Sequence, residues 1–201
     1  MTVVEDVVVK RLGGVDYLPT WEAMRAFTRA RGESTPDELW LLEHPSVYTI
    51  GQGAPLSGPA NGIPVVKTDR GGDITYHGPG QAVVYALVDL ARRSIKVKRF
   101  VWLLEQAVID LLGARAQRRP GAPGVYVDGA KIAALGIRVV RGRAYHGLSL
   151  NVAMDLSPFE AIDPCGYPGL RVTQMKDLGF RHTPAAAATR LAQLVLRNLD
   201  A

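Results

Sequence analysis

Two short turns divide the most constraining stretch of this chain. Asp128-Gly129 and Arg141-Gly142 cut Gly124–Val152 into three segments rich in β-branched and small apolar residues. A two-residue reversal between strands needs positive φ at both central positions, which Asp-Gly supplies well and Arg-Gly less well. The spacing predicts a three-stranded antiparallel meander. If both turns are two-residue loops, Tyr126 faces Lys131, Ala134 faces Ser149, and Gly136 faces Gly147. Glycine opposite glycine, flanked by alanine and serine, predicts a shallow channel where a ligand can approach the backbone. A bulge or tight sheet packing accounts for the same residues.

The remaining elements follow from periodicity. Thr2–Val9 alternates as a strand, and Pro19–Arg31 has the apolar spacing of an amphipathic helix. Leu39–Leu42 and Val47–Ile50 predict strands around a His44-Pro45 turn, and Gly51–Gly62 a loop. Val65-Val66, Ile74–Tyr76 and Ala82–Leu90 are further strands, the last so continuously apolar that it belongs at the centre of a sheet. Phe100–Leu112 predicts a helix closed by Gly113. A C-terminal helix is capped by Thr183, starts with Pro184 and buries Leu191, Leu194, Val195 and Leu199. Strands and helices interspersed in this way predict an α/β (α+β type) fold with a mixed, mostly antiparallel sheet. At 201 residues without an internal repeat, residues 1–201 are expected to form one domain.

Composition narrows the setting. One cysteine excludes an internal disulfide and favours a reducing, cytoplasmic compartment. The first residues lack the basic and apolar regions of a signal peptide, and no run of 18 apolar residues suggests a membrane span. The net charge of +5 suits acidic partners. Arg92, Arg93, Lys96, Lys98 and Arg99 form the densest basic group, without the interleaved aromatics of a nucleic-acid surface, so no nucleic acid is expected.

Three features carry chemistry. Cys165 stands in Asp163-Pro164-Cys165-Gly166-Tyr167, outside any periodic segment, where a turn displays a side chain. A structural cysteine usually sits inside an apolar helix or strand. Lys131 stands in the otherwise apolar run Ala130–Ile137. A lysine there either snorkels to water from a strand end or needs an anionic partner. Beside a thiol, its ammonium would depress the thiol pKa; one or two units raise the thiolate fraction from ~3% to roughly 25–75% at neutral pH. Strict alternation, however, puts Lys131 on the face opposite Ala134 and Gly136, so these residues share a site only through a bulge, a strand-end twist or a different register. The third feature is Arg70-Gly71-Gly72-Asp73-Ile74-Thr75-Tyr76-His77-Gly78-Pro79-Gly80-Gln81, whose glycines admit a ligand to the backbone. It lacks the ending of a phosphate-binding P-loop. His44, His77, His146 and His182 show no metal-ligand spacing.

These segments, in this order, resemble the lipoyl(octanoyl) transferase family: Arg70–Gln81, Gly129–Val152, and the Pro-Cys-Gly of Asp163–Tyr167. The resemblance implies a fold like the catalytic domains of biotin and lipoate protein ligases. It implies octanoyl transfer from acyl carrier protein to a lysine of lipoyl domains, those of 2-oxoacid dehydrogenase complexes and glycine cleavage H-type proteins; no cofactor or metal is expected, and a monomer is the default. By the same resemblance Cys165 carries the acyl thioester and Lys131 lowers its pKa. Arg70, Gly71, Gly72, Asp73, Ile74, Thr75, Tyr76 and His77 line the acyl site, with Ala134, Leu135, Gly136, Gly147, Leu148 and Ser149. Tyr126 and Ala134 depart from the tryptophan and serine of many relatives, which bears on chain length. The rivals are an ATP-dependent lipoate or biotin ligase on the same fold, a carrier-docking module without activity, and a thioesterase.

Overall fold

A computed structural model describes residues 7–54, 58–163 and 169–200. Ten strands and three α-helices are interspersed among the described residues: β1 (Val8–Gly14), α1 (Tyr17–Ala30), β2 (Glu38–Glu43), β3 (Val47–Ile50), β4 (Val65–Lys67), β5 (Ile74–His77) and β6 (Gln81–Asp89) come first. α2 (Val97–Leu112), β7 (Ala116–Arg119), β8 (Ala122–Val127), β9 (Ala130–Val140), β10 (Arg143–Asn151) and α3 (Pro184–Leu199) follow. Seven strands form one sheet in the order β1-β2-β6-β10-β9-β8-β7, parallel only between β1 and β2. A small sheet, β4-β3-β5, is parallel on one side of β3 and antiparallel on the other. The mixed, mostly antiparallel α/β architecture expected from the sequence is present.

β6 is buried at all nine positions because both sheet faces are covered. Its even-numbered Ala82, Val84, Ala86 and Val88 join Phe100, Leu104 and Val108 of α2 and Leu191 and Val195 of α3 in the main core. Its odd-numbered Val83, Tyr85 and Leu87 pack instead with Met24 of α1, Trp40 and Tyr145. α3 starts as predicted, Thr183 Oγ1 accepting the Ala186 amide at 3.2 Å. Such a cap stabilises by about 1 kcal/mol.

The hairpin signals are realised. Asp128 and Gly129 have φ of 50° and 78°, Arg141 and Gly142 51° and 77°. The register pairs Tyr126 with Lys131, Ala134 with Ser149 and Gly136 with Gly147. The meander has four strands rather than three, because Ala116–Arg119 pairs with β8. Its sequence, Ala-Gln-Arg-Arg, has no apolar alternation to announce it. β1 lies later than the alternation of Thr2–Val9 suggests; Val8 to Gly14 pair with β2, and residues 1–6 lie outside the described part.

Candidate active site

A cleft of about 730 Å³, its open mouth included, lies over the α1 side of the large sheet. Its floor follows from the register. Gln81, Val83 and Tyr85 of β6 pair with Asn151, Ser149 and Gly147 of β10, and the last two pair with Ala134 and Gly136 of β9. Period-two alternation turns all of these to one face, in rows about 6.6 Å apart. β5 and the loop before it cover them with Arg70, Gly72, Asp73, Ile74, Thr75 and His77.

The facing glycines serve backbone packing. A Cβ on Gly147 would stand 2.2 Å from the Val84 carbonyl oxygen of β6. One on Gly136 would stand 2.9 Å from the Gly71 carbonyl and 3.1 Å from Arg70 Cδ. The absent side chains let β6 close from one side and the 70–71 loop from the other, and the Gly71 amide donates to the Ile137 carbonyl at 3.0 Å. Arg70 is buried, its Nε donating to Thr49 Oγ1 (3.1 Å) and its Nη2 to the Thr49 carbonyl (2.5 Å). The guanidinium thus fastens the loop to β3 while its edge lines the cleft.

Lys131 reaches the cleft because of a bulge. Val125 pairs with Ala133 but Tyr126 pairs with Lys131, so β9 spends one extra residue there. Ile132 and Ala133 both turn into the main core, leaving Lys131 and Ala134 on the cleft side. Lys131 is 4% exposed. Its Nζ donates to the Pro123 carbonyl at 3.2 Å and lies 5.7 Å from the centre of the Tyr126 ring. Its backbone clasps the incoming C-terminal segment: the amide donates to the Arg171 carbonyl (2.8 Å), and the Lys131 carbonyl accepts from Thr173 (2.9 Å).

The cleft is therefore lined by Lys131, Ala134, Leu135, Gly136, Gly147, Leu148 and Ser149, with Arg70 and the other residues of the covering loop and β5. Gly71 and Tyr76 do not line it. Tyr76 points to the far side of β5, against Tyr48 and Phe159 and within hydrogen-bond reach of Ser46 Oγ. Cys165 lies outside the described residues; the chain on either side of it meets the cleft at Phe159 and Val172.

Sequence reasoning missed the polar far wall of Tyr17, Tyr85 and His146. The odd-numbered face of β6 carries a signal for Tyr85, but Tyr17 arrives through tertiary packing and His146 stands within β10 at a positive φ of 63°, outside regular pleating. Burial keeps the nearby histidines neutral, pushing His77 down to about 3 and His44 to about 4, and lowering His146. Partners fix their tautomers. His44 Nδ1 donates to the Val15 carbonyl (2.7 Å), so its Nε2 accepts from the Tyr85 hydroxyl (2.8 Å). Gln81 gives its amide hydrogens to the Tyr76 carbonyl and Asn151 Oδ1, which leaves its oxygen to accept from His77 Nδ1 at 2.7 Å. His146 Nε2 donates to Asp69 Oδ1 at 2.9 Å. Burial raises the Asp69 carboxyl, but hydrogen bonds from His146, Tyr145 and Trp21 outweigh it and hold Asp69 below the usual range. Burial raises the phenols of Tyr17, to about 12, and of Tyr85.

An apolar-floored cleft with a buried lysine at one end suits an acyl chain held beside a reactive group. The model of the lipoyl protein ligase A/B catalytic domain matches residues 16–195. Octanoyltransferases of Aromatoleum aromaticum and Dechloromonas aromatica are 61% and 59% identical over 198 residues. These matches cover 96% of this chain and 86% and 97% of theirs. The chain belongs to the lipoyl(octanoyl) transferase family. It is an acyltransferase, as those relatives are named. Among solved structures, a bipartite lipoate protein ligase from Thermoplasma acidophilum superposes with a TM-score of 0.72 at 16% identity, covering 96% of this chain and 84% of that one. A biotin protein ligase from Aquifex aeolicus gives 0.58 at 10% identity, covering 96% and 70%. These two share the fold expected from the sequence.

Proposed function

We propose that this member transfers octanoyl from acyl carrier protein to a lipoyl-domain lysine through an acyl thioester on Cys165. The observation that carries the reading is Lys131, a buried amine brought by the β9 bulge onto the cleft face and clasped to the segment that follows Cys165. Its ammonium stabilises the Cys165 thiolate. The thiolate attacks the thioester carbonyl carbon, and the tetrahedral intermediate expels the carrier's thiolate, which takes a proton from Lys131 and leaves that amine neutral. The ε-amine of the acceptor then attacks the acyl-enzyme. A new C–N bond forms, the C–S bond to Cys165 breaks, and the amine proton leaves with the departing sulfur or through a neutral Lys131. Arg70, Gly72, Asp73, Ile74, Thr75 and His77 roof the acyl chain, and Ala134, Leu135, Gly136, Gly147, Leu148 and Ser149 floor it. Gly71 and Tyr76 support this roof from behind.

The acceptors are the lipoyl domains of 2-oxoacid dehydrogenase complexes and glycine cleavage H-type proteins. The enzyme works as a single domain and a monomer, in the cytoplasm, with no cofactor. Intact-mass measurement after incubation with octanoyl-acyl carrier protein, without ATP or acceptor, tests the route. One octanoyl gain, absent in Cys165→Ala and discharged by added lipoyl domain, is the expected result. Lipoyl-domain modification only when ATP is supplied would replace the proposal with a ligase, and release of free octanoate with a thioesterase.

A further inference from the structure

A second groove lies against the far wall of the cleft, and its charge is predominantly positive. Arg25 and Arg29 of α1 face Arg138, Arg141 and Arg143 of the β9–β10 hairpin across about 1030 Å³ of space, open solvent included. The acid lining it is Asp69, already held by Trp21, Tyr145 and His146. Arg25 lies 3.7 Å from that carboxylate, and Arg143 3.4 Å from Asp89. The side chains of Arg29 and Arg141 are exposed and make no hydrogen bond or ion pair with another described residue.

Five guanidiniums in one groove repel one another; Arg25 lies over the Trp21 ring, 5.0 Å from its centre, while Arg29 and Arg141 stand exposed. We infer that this arginine groove is the docking surface for the acidic face of the acyl-donating carrier protein. This inference rests on the acyl-transfer reading above. Three observations select that partner. The cationic groups are dispersed, at i and i+4 on α1 and at i, i+3 and i+5 on the hairpin, with Val140 between Arg138 and Arg141, a spacing that suits carboxylates on a folded surface. The aromatic ring lining the groove, that of Tyr145, is buried and stacked on His146, so it offers no platform for bases. The position also separates donor from acceptor. Arg138 stands seven residues along β9 from Lys131, about 23 Å at 3.3 Å per residue. An acceptor lysine reaches only as far as its own side chain, so its domain must sit at the Lys131 end. A donor whose acyl group rides on a long phosphopantetheine arm can dock at the other end. Arg138 also donates to Gln52 Oε1 at 2.9 Å, tying the groove to the loop against which the covering 70–73 segment packs.

The test is the charge-reversed double variant Arg29→Glu, Arg141→Glu, assayed for formation of the acyl-enzyme. With octanoyl-acyl carrier protein, KM is expected to rise at least tenfold and the rate to lose most of its salt dependence. With octanoyl-pantetheine, which brings no protein, the rate should match wild type, as should KM for the lipoyl-domain acceptor. The milder pair Arg29→Gln, Arg141→Gln, expected to raise the donor KM about threefold, repeats the measurement should charge reversal disturb folding. Unchanged donor KM in an active variant overturns the inference and leaves the acyl-transfer reading standing. A rise in acceptor KM instead assigns the groove to the lipoyl domain. Binding of a single-stranded oligonucleotide that the variant loses, with donor kinetics unchanged, assigns it to nucleic acid. If wild type is acylated by neither thioester, the acyl-transfer reading falls and this inference with it.

Discussion

Lys131 and Ala134 face the same cleft although three positions separate them, an odd interval that regular pleating assigns to opposite sides of a sheet. The bulge at Ile132 and Ala133 supplies the missing half-period. Its cost is a crowded corner. Gly124, at φ 139°, lies under the Lys131 stem, where an added Cβ would be 2.7 Å from Cε and 2.8 Å from the Ala133 carbonyl.

Gly124→Ala should therefore displace the lysine as well as strain the strand. The carbonyl belongs to the ladder and cannot yield cheaply. A loss of about 2 kcal/mol in urea unfolding is expected, with acyl-enzyme formation slowed more than tenfold. A variant that unfolds earlier but acylates at the wild-type rate would separate the bulge from the chemistry.

Gly147 and Gly136 make a contrasting pair. The Gly147 Cβ would meet backbone of the central strand, whereas the Gly136 Cβ would meet a loop and an arginine stem. Gly147→Ala is expected to cost about 3 kcal/mol or to prevent folding. Gly136→Ala should cost about 1 kcal/mol, lift the 70–71 loop and raise KM for the acyl donor severalfold. Equal losses in denaturant titrations of the two would contradict this division.

The same corner shows how far the sequence can be read. The two turns and the register between them are legible because a two-residue loop leaves one pairing for every residue beyond it. The conflict at Lys131 is legible too, since strict alternation sets it on the face opposite Ala134, but a bulge, a strand-end twist and a different register all resolve it. The bulge's position at Ile132 is not legible, because an apolar residue there fits either face. Gly147 reads from sequence as either an opening or tight sheet packing, and β6 makes it the second; a strand 66 to 58 residues earlier in the chain leaves no local mark that would decide between them. The motif groups Tyr76 with its neighbours, whereas alternation along β5 turns its side chain to the face opposite Thr75.

Three buried neutral histidines set the acid limit of stability. Unfolded, each titrates near 6.5; folded, His44 and His77 titrate near 4 and 3, and His146 is also lowered. A depressed histidine leaves the unfolded chain binding more protons below 6.5. Its contribution is complete above that pH and is lost as the pH falls towards the folded value. Each such histidine steepens the decline by up to about 1.4 kcal/mol per pH unit. Denaturant midpoints should be flat from pH 8 to 7 and fall markedly from 6.5 to 4. His44→Asn, which preserves a donor to the Val15 carbonyl, should reduce the slope. A flat midpoint across that window would show that these rings accept protons without unfolding.

Asp37 governs the opposite edge of the molecule. Its carboxylate accepts from Arg31 (2.6 Å), Arg92 (2.7 Å), Arg93 (2.6 Å) and the Asp89 amide (2.8 Å), with no side-chain exposure. Burial raises its pKa, but the hydrogen bonds from Arg93, the Asp89 amide and Arg31 outweigh it and hold the group below 3.8. Its contribution is thus present above that value and lost only as the pH falls further, below the histidine window. Asp37→Asn removes the charge and leaves the fully buried Arg31 guanidinium without an anion. A loss of about 3–5 kcal/mol is expected. Arg31→Met alone should cost less, because Arg92 and Arg93 still neutralise the carboxylate. In the double variant Arg31→Met, Asp37→Asn the loss should fall short of the two single losses added together, since removing the first partner already lifts the demand on the second. Strict additivity in a denaturant double-mutant cycle would mean that Arg31 is held by the Leu87, Thr35 and Pro36 carbonyls, and that the ion pair adds nothing.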